Sequence, residues 1–215
     1  MPTRKIVDGF RQFREKVFPQ HAQRFNELSD GQQPEALMIT CSDSRIDPAL
    51  LTQTLPGDLF VLRNAGNIVG RYDPAGDGRA GTIEYAVKAL KVKHIVVCGH
   101  DRCGAMAAVI DPSGLSELPA VEAWIRRHGP GRVDGDQPTV ADQVRFNVAR
   151  QLENLRTHPA VLQAEKDGSV ELHGWVYDFV SGTIQEFQAD SGAFVALDES
   201  PPRHLQAGET GEVSS

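Results

Sequence analysis

Two short stretches of the chain hold the residue types that do chemistry. "MITCSDSRID" (38–47) ends an apolar run on Cys41, with Asp43 and Arg45 just beyond it. "VVCGHDRCGAM" (96–106) repeats the pattern: an apolar run, then His100 and Cys103. His-x-x-Cys spacing lets one turn aim an imidazole and a thiolate at one ion, and zinc takes nitrogen and sulfur ligands in a tetrahedron. With Cys41 the set becomes Cys2His, three protein ligands and one open position, the pattern of catalytic zinc. Either half alone is a weak signal, since a lone cysteine after a strand is more often a small core residue. The conjunction with Asp43 and Arg45 is stronger. Two thiolates neutralise Zn2+. Arg45 can then offset the charge of a hydroxide at the open position, or hold Asp43 in place. Asp43 can accept a hydrogen bond there or ligate zinc itself. The bland alternative is an Asp–Arg pair stapling a turn, a common and weak surface contact.

Such a site needs two neighbouring strands ending at one edge. "ALMIT" (36–40) and "HIVVC" (94–98) are continuous apolar runs, as for strands buried on both faces of a parallel sheet. Polar groups at their carboxyl ends stand where open α/β sheets bind ligands. A third strand is expected over 59–62, and helices over 4–18, 48–54, 82–91 and 139–157, with another opening near Cys103. In the helix over 139–157, Val140, Val144, Val148, Leu152 and Leu155 form the apolar stripe, leaving Arg145 and Arg150 to solvent. The alternation in 169–187, broken by Ser-Gly, signals a hairpin. The fold class is therefore α/β, a mainly parallel central sheet flanked by helices. One domain is expected over 1–200, followed by a flexible polar tail over 201–215.

The chain has 215 residues and a net charge of −7. That balance argues against nucleic acid or an anionic membrane as partner, since both need a basic face. No apolar run reaches membrane-spanning length, and the N-terminus lacks the apolar core of a signal peptide. Three cysteines suit metal or catalytic use in a reducing compartment better than a disulfide framework. Cytoplasmic residence is the expectation.

"CSDSR", "PGDLFVLRNAGNIV", "IEYAV", "VVCGHDRCGAM" and the late "HGWVYD" together resemble the β-class carbonic anhydrases over roughly residues 30–180. The resemblance implies one Zn2+ per chain on Cys41, His100 and Cys103, with Asp43 and Arg45 as a catalytic dyad. In some members the aspartate takes the fourth zinc position at lower pH. It implies reversible hydration of carbon dioxide to bicarbonate and a proton. It also implies a homo-oligomer, a dimer or a dimer-based tetramer or larger assembly, whose N-terminal helix arm packs on a neighbouring subunit. The substrate pocket carried over by position is Gln32, Phe60, Ala65, Tyr85 and Gly104, Ala65 being smaller than the valine often found there. Arg63 and Tyr177 resemble the bicarbonate-inhibited subgroup. That subgroup usually has tryptophan where Met38 stands and lacks a glutamine at 32, so the plant-like subgroup is expected. "LTQTLPGDLF" and "HGWVYD" are similar to bacterial members linked to cyanate metabolism.

Three rivals follow from the same residues. A related zinc hydrolase would act on carbonyl sulfide or carbon disulfide. A zinc-stabilised interaction protein would keep Asp43 on the metal as a fourth ligand. A thiol redox enzyme would want a Cys-x-x-Cys, which is missing. "GDGRAG" (76–81) matches a dinucleotide-binding pattern but follows a turn, so it reads as a loop before a helix. Cys98 reads as core. His94, His128, His158 and His173 lack a partner at ligand spacing and read as surface or capping residues.

Overall fold

A computed structural model of the chain describes residues 3–199; the tail expected over 201–215 lies outside the described residues. Ala36–Cys41 (β1) is buried at every position, and His94–His100 (β3) at all but the first. β1 pairs in parallel with β2 (Leu59–Asn64) on one side and with β3 on the other. β3 pairs in parallel with β4 (Glu171–Asp178). Antiparallel β5 (Thr183–Gln188) and β6 (Ala193–Ala196) complete a six-stranded sheet ordered β2-β1-β3-β4-β5-β6. The expected hairpin turns between β4 and β5, where Gly182 takes φ 75°. Cys41 sits across from Asn64 at the end of β1, and β3 carries His100 to the same edge, opposite Tyr177.

The N-terminal helix runs further than the pattern over 4–18 suggested. α1 (Arg4–Gln12) passes through a π turn at Phe13–Val17 into α2 (Phe18–Glu27). Pro19 has no N–H for the ladder, and the wider turn is one way for a helix to continue past a proline. No residue of this arm is buried, and Ile6, Val7, Phe10, Phe13, Val17 and Phe18 are all exposed.

α3 (Pro48–Thr52) is capped by Asp47, whose side chain accepts from Leu50 N–H. α4 (Gly78–Lys88) starts earlier than expected. The Asp77 carboxylate accepts from the N–H groups of Arg79 and Ala80, so residues 78–81 form a first helical turn where a loop was expected. α5 (Gly104–Ile110) starts directly after Cys103. α6 (Pro119–His128) and α8 (Pro159–Lys166) each begin on a proline and had no counterpart in the sequence reading.

α7 (Val140–Leu155) is capped by a Thr139–Asp142 capping box. Its Val144, Val148, Leu152 and Leu155 are buried. Two glycines let it press onto the sheet: a Cβ on Gly99 would lie 2.8 Å from Val148, and one on Gly174 2.9 Å from Val148 and Leu152. The helix also buries Asn147 and Gln151. Gln151 Oε1 accepts from Val69 N–H (2.9 Å) and Gly70 N–H (3.1 Å), and Asn147 Nδ2 donates to the Gly66 carbonyl (2.9 Å). These amides satisfy the buried backbone of the 65–70 loop, which no strand pairs. Arg150 is exposed as expected. Arg145 is half-buried and donates to Gln185 Oε1.

Candidate active site

Cys41 Sγ and Cys103 Sγ lie 4.0 Å apart, and with His100 Nε2 form a set of buried donors all within 4.8 Å of one another. Zinc–sulfur bonds of about 2.3 Å in a tetrahedron put two sulfurs about 3.8 Å apart, close to this spacing. His100 Nδ1 donates to the Asp101 carbonyl at 2.8 Å, which leaves the lone pair on Nε2. That nitrogen is buried without a hydrogen-bond partner, a cost that a cation would remove. Gly66 N–H donates to Cys41 Sγ at 3.3 Å. The Cys103 hydrogen bond pulls the Cys41 pKa down against burial, helped by His100 and Gly66 N–H. Cys41 and burial hold that of Cys103 up. Burial alone would lower the pKa of His100, but Cys41 raises it on balance. By itself the protein therefore favours one thiolate of the pair, and a divalent cation is what lets both ionise. The donor set fits zinc.

Asp43 stands beside this cluster, its Oδ2 3.8 Å from His100 Nε2. Both of its oxygens are held by Arg45, through Nε on Oδ1 (2.9 Å) and Nη2 on Oδ2 (2.7 Å). The Arg45 hydrogen bond outweighs burial and holds the Asp43 carboxyl well below the usual carboxylate range. Arg45 in turn packs on Phe179, with Cζ 4.5 Å from the ring centroid, and donates to the Arg102 carbonyl. Arg63 laces the loop from below: Nε reaches the Cys41 carbonyl (3.0 Å), and Nη2 the carbonyls of Asp43 (2.9 Å) and Ile46 (2.8 Å). Phe179 went unnoticed in the sequence, because nothing in "DFVSG" marks its ring as a platform for an arginine 134 residues earlier.

The carbonic anhydrase family model matches residues 36–184. A carbonic anhydrase from Pseudomonas aeruginosa is 46% identical, over 98% of this chain and 99% of that protein. Carbonic anhydrase 1 of Escherichia coli O157:H7 is 46% identical, over 92% of this chain and 94% of that protein. Among solved structures, the β-carbonic anhydrase CcaA superposes with a TM-score of 0.85 at 38% identity, covering 91% of this chain and 100% of that one. The chain belongs to the β-class carbonic anhydrases. One of two tetrameric β-carbonic anhydrases from Sordaria macrospora gives a TM-score of 0.69 at 30% identity, covering 89% of this chain and 98% of that one.

Within the single chain of this anhydrase, only part of the expected substrate pocket adjoins the cysteines. Gly104 adjoins Cys103, and Ala65 adjoins Gly66, its carbonyl accepting from Trp124 Nε1 (2.9 Å). Phe60 and Tyr85 pair with each other, ring centroids 6.0 Å apart. Phe60 lies opposite Leu37, four residues or about 13 Å along β1 from Cys41. Gln32 lies beyond the other end of β1, in a cavity it shares with Arg24 and Gly57.

Cys98 is fully buried and its thiol pKa is pushed up to about 12 by burial, consistent with a core residue. The four histidines expected to be surface or capping residues are more engaged than that reading gave them. His158 occupies the N-cap of α8 but is buried, with Nε2 on the Gly70 carbonyl (3.3 Å). His128 packs between Trp124 and the Arg79 guanidinium. His94 and His173 do have partners: each other, across the β3–β4 pairing. Among the described residues no helix is long and apolar enough to cross a membrane.

Proposed function

We propose that this anhydrase interconverts carbon dioxide and bicarbonate at one zinc ion per chain, held by Cys41, His100 and Cys103, with Asp43 and Arg45 as the catalytic pair. The observation that carries this reading is the buried, unpartnered Nε2 of His100 facing two thiols beside a carboxylate already engaged by arginine. Bound zinc would supply a Lewis acid that lowers the pKa of a water to about 7, making a nucleophile at neutral pH. Cys41 and Cys103 as thiolates balance the cation. The His100 Nδ1 hydrogen bond to Asp101 keeps Nε2 aimed at it.

Asp43, kept ionised by Arg45, can only accept hydrogen bonds. It therefore takes the O–H of the attacking oxygen on a carboxylate oxygen and leaves a lone pair for the substrate carbon. Arg45, held by Phe179 and the Arg102 carbonyl, fixes where Asp43 points. In the family's acid form Asp43 would leave Arg45 and become the fourth ligand. The presence of Gln32, and of methionine at 38, supports the plant-like subgroup.

Assembly completes the pocket in this reading. Phe60 stands about 13 Å from Cys41, with Tyr85 beside it and Gln32 beyond the other end of β1, and no residue of the apolar arm of α1 and α2 is buried. Both features suit a homodimer, or a dimer-based tetramer or larger, in which the arm packs on a neighbour and these residues line the neighbour's site. Buried cysteines that work as thiolates suit the reducing cytoplasm.

Stopped-flow carbon dioxide hydration, with and without a zinc chelator, tests the reading. Fast hydration that fails on zinc removal and returns on readdition is expected. Full activity at negligible zinc content refutes it, and carbonyl sulfide and carbon disulfide assayed alongside decide the substrate.

A further inference from the structure

A second cluster of metal-binding side chains stands at the other end of the sheet. The β3–β4 register sets His94 opposite Glu171 and Val96 opposite His173. Since side chains alternate along a strand, His94, Glu171 and His173 share one face. His94 Nδ1 lies 3.1 Å from His173 Nε2, and Glu171 Oε2 lies 3.8 Å from the first and 3.7 Å from the second. The circle through three atoms so spaced has a radius of about 2.1 Å, and zinc binds imidazole nitrogen and carboxylate oxygen at about 2.0–2.2 Å. In this state the two rings stand at hydrogen-bond distance from each other, and Glu171 Oε2 stands at the spacing of a co-ligand.

The surroundings are those of a ligating histidine. His173 Nδ1 lies 3.0 Å from Oε1 of the buried Glu186, and Trp175 Nε1 approaches the same oxygen at 3.4 Å. That oxygen already accepts from the Trp175 N–H, so His173 Nδ1 is its second donor and Nε2 keeps the lone pair. A buried carboxylate behind the far nitrogen is the usual support of a metal-bound imidazole. A cavity of about 540 Å3, lined in part by His94, His173 and Trp175, gives an ion access and leaves room for water on its remaining positions.

We propose that His94, Glu171 and His173 form a second metal site. It takes a borderline divalent cation of the zinc, cobalt or nickel kind, for which two imidazoles and one carboxylate are suitable donors. The site ties the start of β3 to the start of β4. Six residues of β3, roughly 20 Å, separate it from His100, so its cation does not touch the reacting atoms.

Cobalt distinguishes the two centres by ligand. The chain, stripped of metal, is titrated with Co2+ and followed by visible absorption. Saturation is expected at two ions per chain, one bringing intense thiolate charge-transfer absorption and the other only weak d–d bands. Zinc retained after gel filtration should likewise reach two per chain. The His94→Gln/His173→Gln double variant should hold one ion, keep the charge-transfer band and keep hydrating carbon dioxide. Glu186→Gln should weaken the second ion by about 10–100-fold. Wild-type saturation at one ion per chain overturns the proposal, and so does a second ion that binds the double variant unchanged. Should that variant not fold, Cu2+ bound to the second site of the wild type must show coupling to two imidazole nitrogens by electron paramagnetic resonance; its absence overturns the proposal equally.

Discussion

Arg45 closes on Asp43 with three donors: Nε and its own backbone N–H on Oδ1, at 2.9 and 3.0 Å, and Nη2 on Oδ2 at 2.7 Å. Only a planar fork can hold both oxygens of a carboxylate at once. A lysine would keep the charge and lose the direction. Arg45→Lys should therefore keep zinc yet slow hydration, while Asp43→Asn should keep zinc and slow it by roughly 10²-fold, the usual worth of a positioned proton acceptor. Wild-type turnover in Asp43→Asn across pH 7–9 would reduce the pair to a turn staple.

The three cysteines should separate cleanly by substitution. Cys103→Ala removes one of the three converging donors and should lose zinc and activity together. Cys98 is fully buried with a thiol that burial keeps protonated, so it should resist alkylation in the folded protein. Cys98→Ala should keep zinc and activity and lose about 1 kcal/mol of stability, the scale of a small core truncation. Zinc analysis and urea denaturation of both variants check this; a Cys98→Ala protein without zinc would overturn the assignment.

How far the sequence alone reached depended on whether a residue's partner was implied by local pattern. β1 and β3 were legible because strands inside a parallel sheet are apolar throughout. The meeting of Cys41 with His100 and Cys103 was legible because such strands end at a shared edge. Asn147 and Gln151 were not, since polar residues on a helix look solvated until a loop with unpaired backbone is laid across them. His94 and His173 are 79 residues apart, and only the β3–β4 register makes them neighbours. The continuation of the first helix past residue 18 was not legible either, because a π turn leaves no signature in residue type.

The grip of α7 on the 65–70 loop can be measured. Gln151→Leu keeps the volume but strands the N–H groups of Val69 and Gly70, each worth about 1–3 kcal/mol when buried and unpaired. The variant should be about 2–6 kcal/mol less stable. Activity should fall too, because the same loop carries the Gly66 N–H that supports Cys41. Denaturation within 0.5 kcal/mol of wild type would show that the loop is held some other way.

The arm offers a test of assembly. Ile6 and Phe10 lie one turn apart on α1 and are 73% and 59% exposed in the single chain. If they are covered by a neighbour, Ile6→Glu/Phe10→Glu should dissociate the oligomer in sedimentation velocity and lower activity in parallel, as Gln32, Phe60 and Tyr85 leave the neighbouring site. A wild-type chain that sediments as a fully active monomer would exclude a shared pocket.

Stability should fall on mild acidification, for a reason outside the metal centre. His158 is buried against the Gly70 carbonyl, and burial lowers its pKa; burial and the Arg79 guanidinium do the same to His128. The unfolded chain takes up a proton on each near pH 6.5, while the folded chain holds them neutral to lower pH. More protons on the unfolded state means that stability rises with pH. The contribution is thus fully present above about pH 6.5 and is lost as pH falls toward the depressed folded values. Acid also threatens the thiolates, so the test is a difference: Tm of wild type and of His158→Gln, each zinc-loaded, between pH 7.5 and 5.5. The variant cannot titrate at 158 and should lose less Tm across that range, even if it starts lower. Parallel Tm profiles for the two proteins would mean that His158 accepts a proton in the folded state as readily as in the unfolded one.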